Sequence, residues 1–143
     1  MTKPLPFQDE SFDLIFHPVS NCYVEDILPI WKECYRVLKK GGSLLSGFDN
    51  GMNFLFDDDE TLPLTVANRL PFNPLKMDPK VREQMIANGE GIQFSHSLEE
   101  EIGGQLKAGF LLKDLYEDRD REGCGILREY TPQYVATWSV KEK

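Results

Sequence analysis

His17 is the side chain best suited to move a proton, because an imidazole titrates near neutral pH and can accept a proton from a reacting group. It opens the loop His17-Pro18-Val19-Ser20-Asn21, directly after the apolar run Phe12-Asp13-Leu14-Ile15-Phe16. The plainer reading is a loop histidine hydrogen-bonded to backbone. Ser20 and Asn21 could bind a ligand or cap the helix that follows them. Asp49 and Asn50, after the run Ser43 to Phe48, could contact a substrate or simply form a turn. Asp57-Asp58-Asp59-Glu60 reads as a solvated loop, with a cluster for a cationic acceptor as the alternative. The two histidines, His17 and His96, lie 79 positions apart, and Cys22, Cys34 and Cys124 form no CxxC pair. That spacing argues against a metal centre and against a disulfide framework. A Gly-x-Ser-x-Gly elbow is absent, which argues against a serine hydrolase, and a P-loop is absent too.

These residues need elements to hold them. Phe12 to Phe16 reads as a strand buried on both faces of a parallel sheet. Ile27, Leu28, Ile30, Trp31, Cys34, Tyr35 and Leu38 recur at helical spacing, predicting an amphipathic helix over Tyr23 to Leu38 that is stopped by Gly41-Gly42. Pro29 is tolerated in its first turn, and Lys39 and Lys40 suit its negative end. Ser43 to Phe48 reads as a second strand, which makes a right-handed βαβ unit. Residues 49–94 lose this periodicity, apart from a short helix from Pro79 to Ala87, and read as an insertion or lid. Ser97-Leu98-Glu99-Glu100 is a capping box that opens a helix with Leu98, Ile102 and Leu106 on one face and Gly109 at its end. Phe110 to Tyr116 and Tyr134 to Val140 read as an antiparallel pair of strands. In open α/β sheets ligands sit beyond the carboxyl ends of the strands, which points to the residues after Phe16 and after Phe48.

The bulk properties narrow the partners. The 143 residues suit a single domain with 41% hydrophobic content, enough for a real core. A net charge of −8 repels phosphate backbones, so neither nucleic acid nor an anionic membrane is expected as a partner. The absence of a signal segment, of a long apolar span and of paired cysteines leads us to expect a cytoplasmic chain with free thiols.

Taken in order, "LPFQDESFDLIF", "WKECYRVLKKGGSLLSG" and "LKAGFLLKDLYED" resemble the second half of class I S-adenosylmethionine-dependent methyltransferases. The resemblance implies an α/β fold: half of a Rossmann-like sheet with two parallel strands, a C-terminal antiparallel hairpin, flanking helices and a long insertion. Residues 1–143 would then be one partial domain, with 49–94 as an insertion within it. S-adenosylmethionine is the implied cofactor and a small molecule the implied methyl acceptor. On this resemblance Met1 and Thr2 would lie beside the adenine, and His17, Pro18, Val19 and Ser20 beside the cofactor's methionine portion. Asn21, Asp49, Asn50, Phe94 and His96 would face the acceptor, since inserts in this family commonly form the lid, although scattered aromatics more often just pack an insert onto the sheet. His17 would be the catalytic base, although methyl transfer depends chiefly on in-line alignment.

One departure from the family pattern matters. No Gly-x-Gly-x-Gly turn or acidic strand end precedes Phe12, so the cofactor-gripping half has no counterpart here. The chain is therefore expected to bind cofactor weakly alone. An apolar strand left at the sheet edge invites a homo-oligomer or pairing with the missing N-terminal half. The rival reading is a non-catalytic truncated fold module that self-associates or pairs with another chain.

Overall fold

The structure, a computed structural model, describes residues 3–56, 62–89 and 91–142. Met1, Thr2 and the Asp57 to Glu60 run lie outside the described residues. Four strands, β1 (Phe12–His17), β2 (Leu38–Asp49), β3 (Leu111–Asp118) and β4 (Tyr134–Val140), form one sheet in the order β1-β2-β4-β3. β1 pairs parallel to β2, while β2–β4 and β4–β3 are antiparallel. This is the expected α/β half-sheet. Helix α1 (Leu28–Val37) makes the crossover between β1 and β2. Two shorter helices, α2 (Met52–Leu55) and α3 (Pro79–Ala87), lie in the 49–94 stretch, and α4 (Leu98–Ala108) leads into β3. The Pro79 to Ala87 helix, the Tyr134 to Val140 strand and the Ser97/Glu100 capping box all form where the sequence places them.

The core lies between α1, α4 and one face of the sheet. Ile27, Ile30, Trp31 and Cys34 of the first helical segment pack with Leu38, Leu44 and Phe110. Burying side chains of this size is worth roughly 1.5–3 kcal/mol each. Trp31, fully buried, donates from its indole nitrogen to the Glu100 carbonyl at 3.1 Å, which ties α1 to the start of α4. The helices come this close because Gly104 faces Trp31; a methyl group there would sit 2.6 Å from the indole Cδ1.

Three details depart from the sequence reading. First, α1 ends at Val37, and Gly41-Gly42 lie inside β2. The terminal carbonyls of the helix find other partners: Glu10 N–H donates to Arg36 O, Ser11 N–H to Val37 O, and the Lys141 ammonium to Tyr35 O and Leu38 O. With those carbonyls satisfied, no glycine C-cap is required. Gly41 (φ +81°) instead accommodates an irregularity in the β1–β2 register between Leu38 and Ser43. The helix also starts later than Tyr23, because Asn21–Tyr23 form a separate single turn of 3-10 helix.

Second, β1 is not buried on both faces. Leu14 is 54% and Phe16 72% exposed, because β1 is an edge strand and the sheet carries helices on one side only.

Third, in the Leu98, Ile102 and Leu106 stripe of α4 both leucines are exposed and Ile102 is only half-buried, while the helix fully buries Glu101, Gly104 and Gln105. The sheet beneath presents hydroxyls. Ser139 Oγ donates to Gln105 Oε1 at 2.7 Å, and Gln105 Nε2 donates to Thr137 Oγ1 at 3.2 Å. A leucine at 105 would leave both hydroxyls buried without partners, which costs more than it gains.

Candidate active site

The loop after β1 divides between the two sides of the sheet. Pro18 and Val19 turn to the open side, where they meet Phe16, Gly47, Tyr116 and Trp138 along a groove of about 680 Å³. His17, Ser20 and Asn21 turn to the helix side and hydrogen-bond to one another. His17 Nε2 lies 2.8 Å from Asn21 Oδ1, and Asn21 Nδ2 donates to Glu101 Oε2 at 2.7 Å. Ser20 Oγ lies 3.3 Å from His17 Nδ1 and 3.1 Å from the Pro18 carbonyl. His96 Nε2 donates to the Asn21 carbonyl at 3.1 Å. The edge of the Trp31 ring meets the imidazole, with ring centroids 5.5 Å apart at 72°.

Asn21, His96 and Glu101 are all buried. Burial holds the His17 pKa below its usual value, although the Asn21 bond works in the opposite direction, so the imidazole is neutral at physiological pH. Burial pushes the Glu101 carboxyl up to about 8, with the Asn21 bond opposing and the negative fields of Glu100 and Asp49 adding to the rise. This pair of groups, one imidazole held neutral and one carboxyl held protonated, lies at the carboxyl end of a parallel strand. Perturbed groups of this kind concentrate at functional sites.

The other candidates occupy more structural positions. Asp49 Oδ1 accepts from Gly51 N–H at 2.5 Å and Oδ2 accepts from Asn53 Nδ2 at 2.6 Å; burial raises its pKa. Asn50 is spent on a turn: its Nδ2 donates to Pro132 O and its Oδ1 accepts from Met52 N–H. Phe94 is buried, its N–H bonded to Cys22 O, and Phe54 stacks on Phe72 with ring centroids 5.5 Å apart. The structure thus brings His17, Ser20, Asn21 and His96 together. Asp49 and Asn50 stand at the neighbouring strand end, and Phe94 lies inside the packed insert. Cys22, Cys34 and Cys124 are free thiols. Among the described residues no cluster of His, Cys, Asp and Glu could hold a metal, and no helix is long and apolar enough to cross a membrane.

Sequence reasoning missed Glu101. It stands among three acids in the first turn of α4, where acids are ordinary, so the sequence carried no signal that set it apart.

A second set of contacts explains why the motif words occur together. The Arg36 guanidinium donates to the carbonyls of Leu5 and Phe7, to Asp9 at 2.8 Å and to Glu33 at 2.8 Å. Leu5 N–H donates to Glu33 Oε2 at 2.9 Å. The Arg36 bonds, with the Leu5 N–H, hold the Glu33 carboxyl down at about 2. The arginine of "RVLK" is thus the clamp on the "LPFQD" segment that leads into β1.

Comparison with known proteins agrees with this geometry. Residues 1–46 match the methyltransferase domain family. Over 138 residues the chain is 46% identical to an uncharacterized methyltransferase of Bacillus subtilis, YbaJ, covering 94% of this chain and 53% of that protein. A solved S-adenosylmethionine-dependent methyltransferase of Mesorhizobium loti superposes with a TM-score of 0.63 at 15% identity, over 95% of this chain and 64% of that one. A Thermotoga maritima S-adenosylmethionine-dependent methyltransferase, described as a possible histamine N-methyltransferase, superposes with a TM-score of 0.57 at 24% identity, over 96% and 60%. The chain spans about half the length of the curated relative it matches. The chain is thus similar in sequence to part of a methyltransferase and in fold to part of solved S-adenosylmethionine-dependent methyltransferases.

Proposed function

We propose that the chain forms the acceptor-side half of an S-adenosylmethionine-dependent methyltransferase that acts on a small molecule. The observation that carries this reading is the loop after β1. That loop follows the carboxyl end of the parallel strand β1, where ligands of open α/β sheets sit, and sends Pro18 and Val19 to an apolar groove on the open side of the sheet and His17 to the helix side. The residues present fit one side of the cofactor. Phe16, Pro18 and Val19 offer an apolar wall along the groove, and His17 and Ser20 hold the same loop from the helix side. When bound, the cofactor supplies an electrophilic sulfonium methyl group. His17 Nδ1 takes the proton that the acceptor loses. Asp49, at the end of β2, would meet the acceptor from the neighbouring strand end, with Asn50 fixing its turn. Asn21, Phe94 and His96 support this wall from the buried side.

The remaining grip comes from another polypeptide segment. Leu14, Phe16, Leu45 and Trp138 leave an apolar sheet face open beside the unpaired edge of β1. A segment carrying the glycine-rich half would pair with that edge and cover that face, and without it the chain self-associates there.

The test is reconstitution. The 143-residue chain is titrated calorimetrically with S-adenosylmethionine alone, and then after mixing with the part of YbaJ outside the matched segment. Weak binding alone and micromolar binding in the mixture is the expected result. Micromolar binding by the chain alone, or no gain on mixing, would overturn the reading and favour a non-catalytic fold module.

A further inference from the structure

We propose that Glu101 is a positioning residue for His17: acting through the Asn21 carboxamide, it locks the imidazole as the Nε2–H tautomer and leaves Nδ1 as the ring's proton acceptor. The proposal deepens the functional reading above and rests on it for the role of His17.

The argument is one of donors and acceptors. The carboxyl oxygen Oε2 of Glu101 lies 2.7 Å from the Asn21 side chain. In the structure Oε2 is the acceptor, with the carboxyl ionised or its proton on Oε1, and the Asn21 amide turns its NH₂ toward it. Asn21 Oδ1 is thereby aimed at His17 Nε2, 2.8 Å away. An amide oxygen has no proton to give. Nε2 must therefore carry the hydrogen, and the lone pair is left on Nδ1. Ser20 Oγ, 3.3 Å from Nδ1, has a single proton and a nearer acceptor in the Pro18 carbonyl at 3.1 Å. Nδ1 is thus left open to an incoming donor.

The neighbours hold this relay rigid. His96 Nε2–H fixes the Asn21 carbonyl at 3.1 Å, and the Trp31 ring edge fixes the plane of the imidazole. Glu101 is 1% exposed, and no cation offsets its burial among the described residues. A carboxyl kept there without a counter-ion is poor packing, and a leucine of similar volume would serve the core better. Its contribution is to orient Asn21, in the way that carboxylates behind a ligating histidine fix its tautomer.

The test reads the tautomer directly and needs no activity. In the ¹⁵N-labelled 143-residue chain at neutral pH, long-range ¹H–¹⁵N correlations distinguish the protonated from the unprotonated ring nitrogen of each of the two histidines. His17 is expected to be purely Nε2–H in the wild type and in Glu101→Gln, whose amide carbonyl still accepts from Asn21. In Glu101→Leu it is expected to become a mixture of both tautomers, while His96 stays Nε2–H as an internal control. Should the leucine variant not fold, Asn21→Ala gives the same loss of lock with Glu101 intact. An Nδ1–H or mixed His17 in the wild type overturns the proposal, as does a pure Nε2–H form in Asn21→Ala. A locked His17 in a reconstituted assembly that transfers no methyl would instead overturn the functional reading and leave the positioning role standing.

Discussion

Replacing Glu101 by glutamine should change the pH dependence of stability more than stability itself. The native carboxyl holds its proton up to about pH 8, chiefly because it is buried on the inner face of α4, whereas in the unfolded chain it releases that proton near its ordinary value of 4.5. The folded-state value is raised, so the stabilising contribution is complete below 4.5 and is lost as pH climbs to 8. Each pH unit across that window costs about 1.4 kcal/mol. Between pH 4.5 and pH 8 the wild type should therefore lose about 4–5 kcal/mol relative to Glu101→Gln, a large part of a domain's typical ~5–15 kcal/mol. His17, whose native value is lowered by burial, acts in the opposite sense: its contribution fades as pH falls below 6.5. That effect is present in both proteins and cancels in the comparison, as does the raised Asp49. The assay is urea unfolding followed by far-ultraviolet circular dichroism at pH 5, 6.5 and 8.5. With a denaturant slope of about 2 kcal/mol per molar, the variant's midpoint should exceed the wild type's by roughly 2 M at pH 8.5 and by little at pH 5. Midpoints that run parallel across the three pH values would refute the reasoning, because they would mean that Glu101 is ionised or hydrated in the folded chain.

Two further outcomes follow from the packing. Arg36→Met should lower the urea midpoint and speed amide exchange at Leu5, since it removes the clamp on both segments; Arg36→Lys should restore little, because a single ammonium cannot reach the carbonyls of Leu5 and Phe7 and both carboxylates together. Gly104→Ala should cost about 1–2 kcal/mol through its clash with Trp31, whereas Gly103→Ala, which meets only Glu99 Cγ at 3.5 Å, should gain about 0.5–1 kcal/mol from helix propensity; equal effects at the two positions would sink the close-approach argument.

The sequence carried those elements whose signals are local. The Ser97 capping box, the Pro79 helix start and the glycine that ends α4 depend on neighbours within one turn, and all three form as read. The β4 alternation is equally local, since one face of that strand is buried. Signals that depend on distant partners misled. Gly41-Gly42 reads as a helix stop, yet the carbonyls it would have served are taken by Lys141, more than a hundred residues away. The Leu98, Ile102 and Leu106 stripe reads as a core face, yet Thr137 and Ser139 make the sheet beneath α4 polar and select Gln105. His17, Ser20 and Asn21 could be chosen by residue type and position. Glu101 could not, because in the sequence it stands as the third of three acids in a helix's first turn, where acids are ordinary.

This contrast bears on what the family resemblance measures. The words that carried it, "LPFQD" and "RVLK", meet at Arg36, which grips the carbonyls and the acid of one segment from the helix of the other. Their co-occurrence therefore reports a structural clamp that sets the entry into β1, and it would persist in a chain that had lost all catalysis. The relay from His17 through Asn21 to Glu101 has a different logic. It buries a carboxyl without a cation beneath a helix whose better apolar face is turned to solvent, an arrangement that packing alone does not favour. A remnant kept only for its fold would gain by turning the leucines of α4 inward. Instead α4 meets the hydroxyls of β4 with Gln105 and the loop after β1 with Glu101, so its inner face is fixed by the polar atoms it must satisfy.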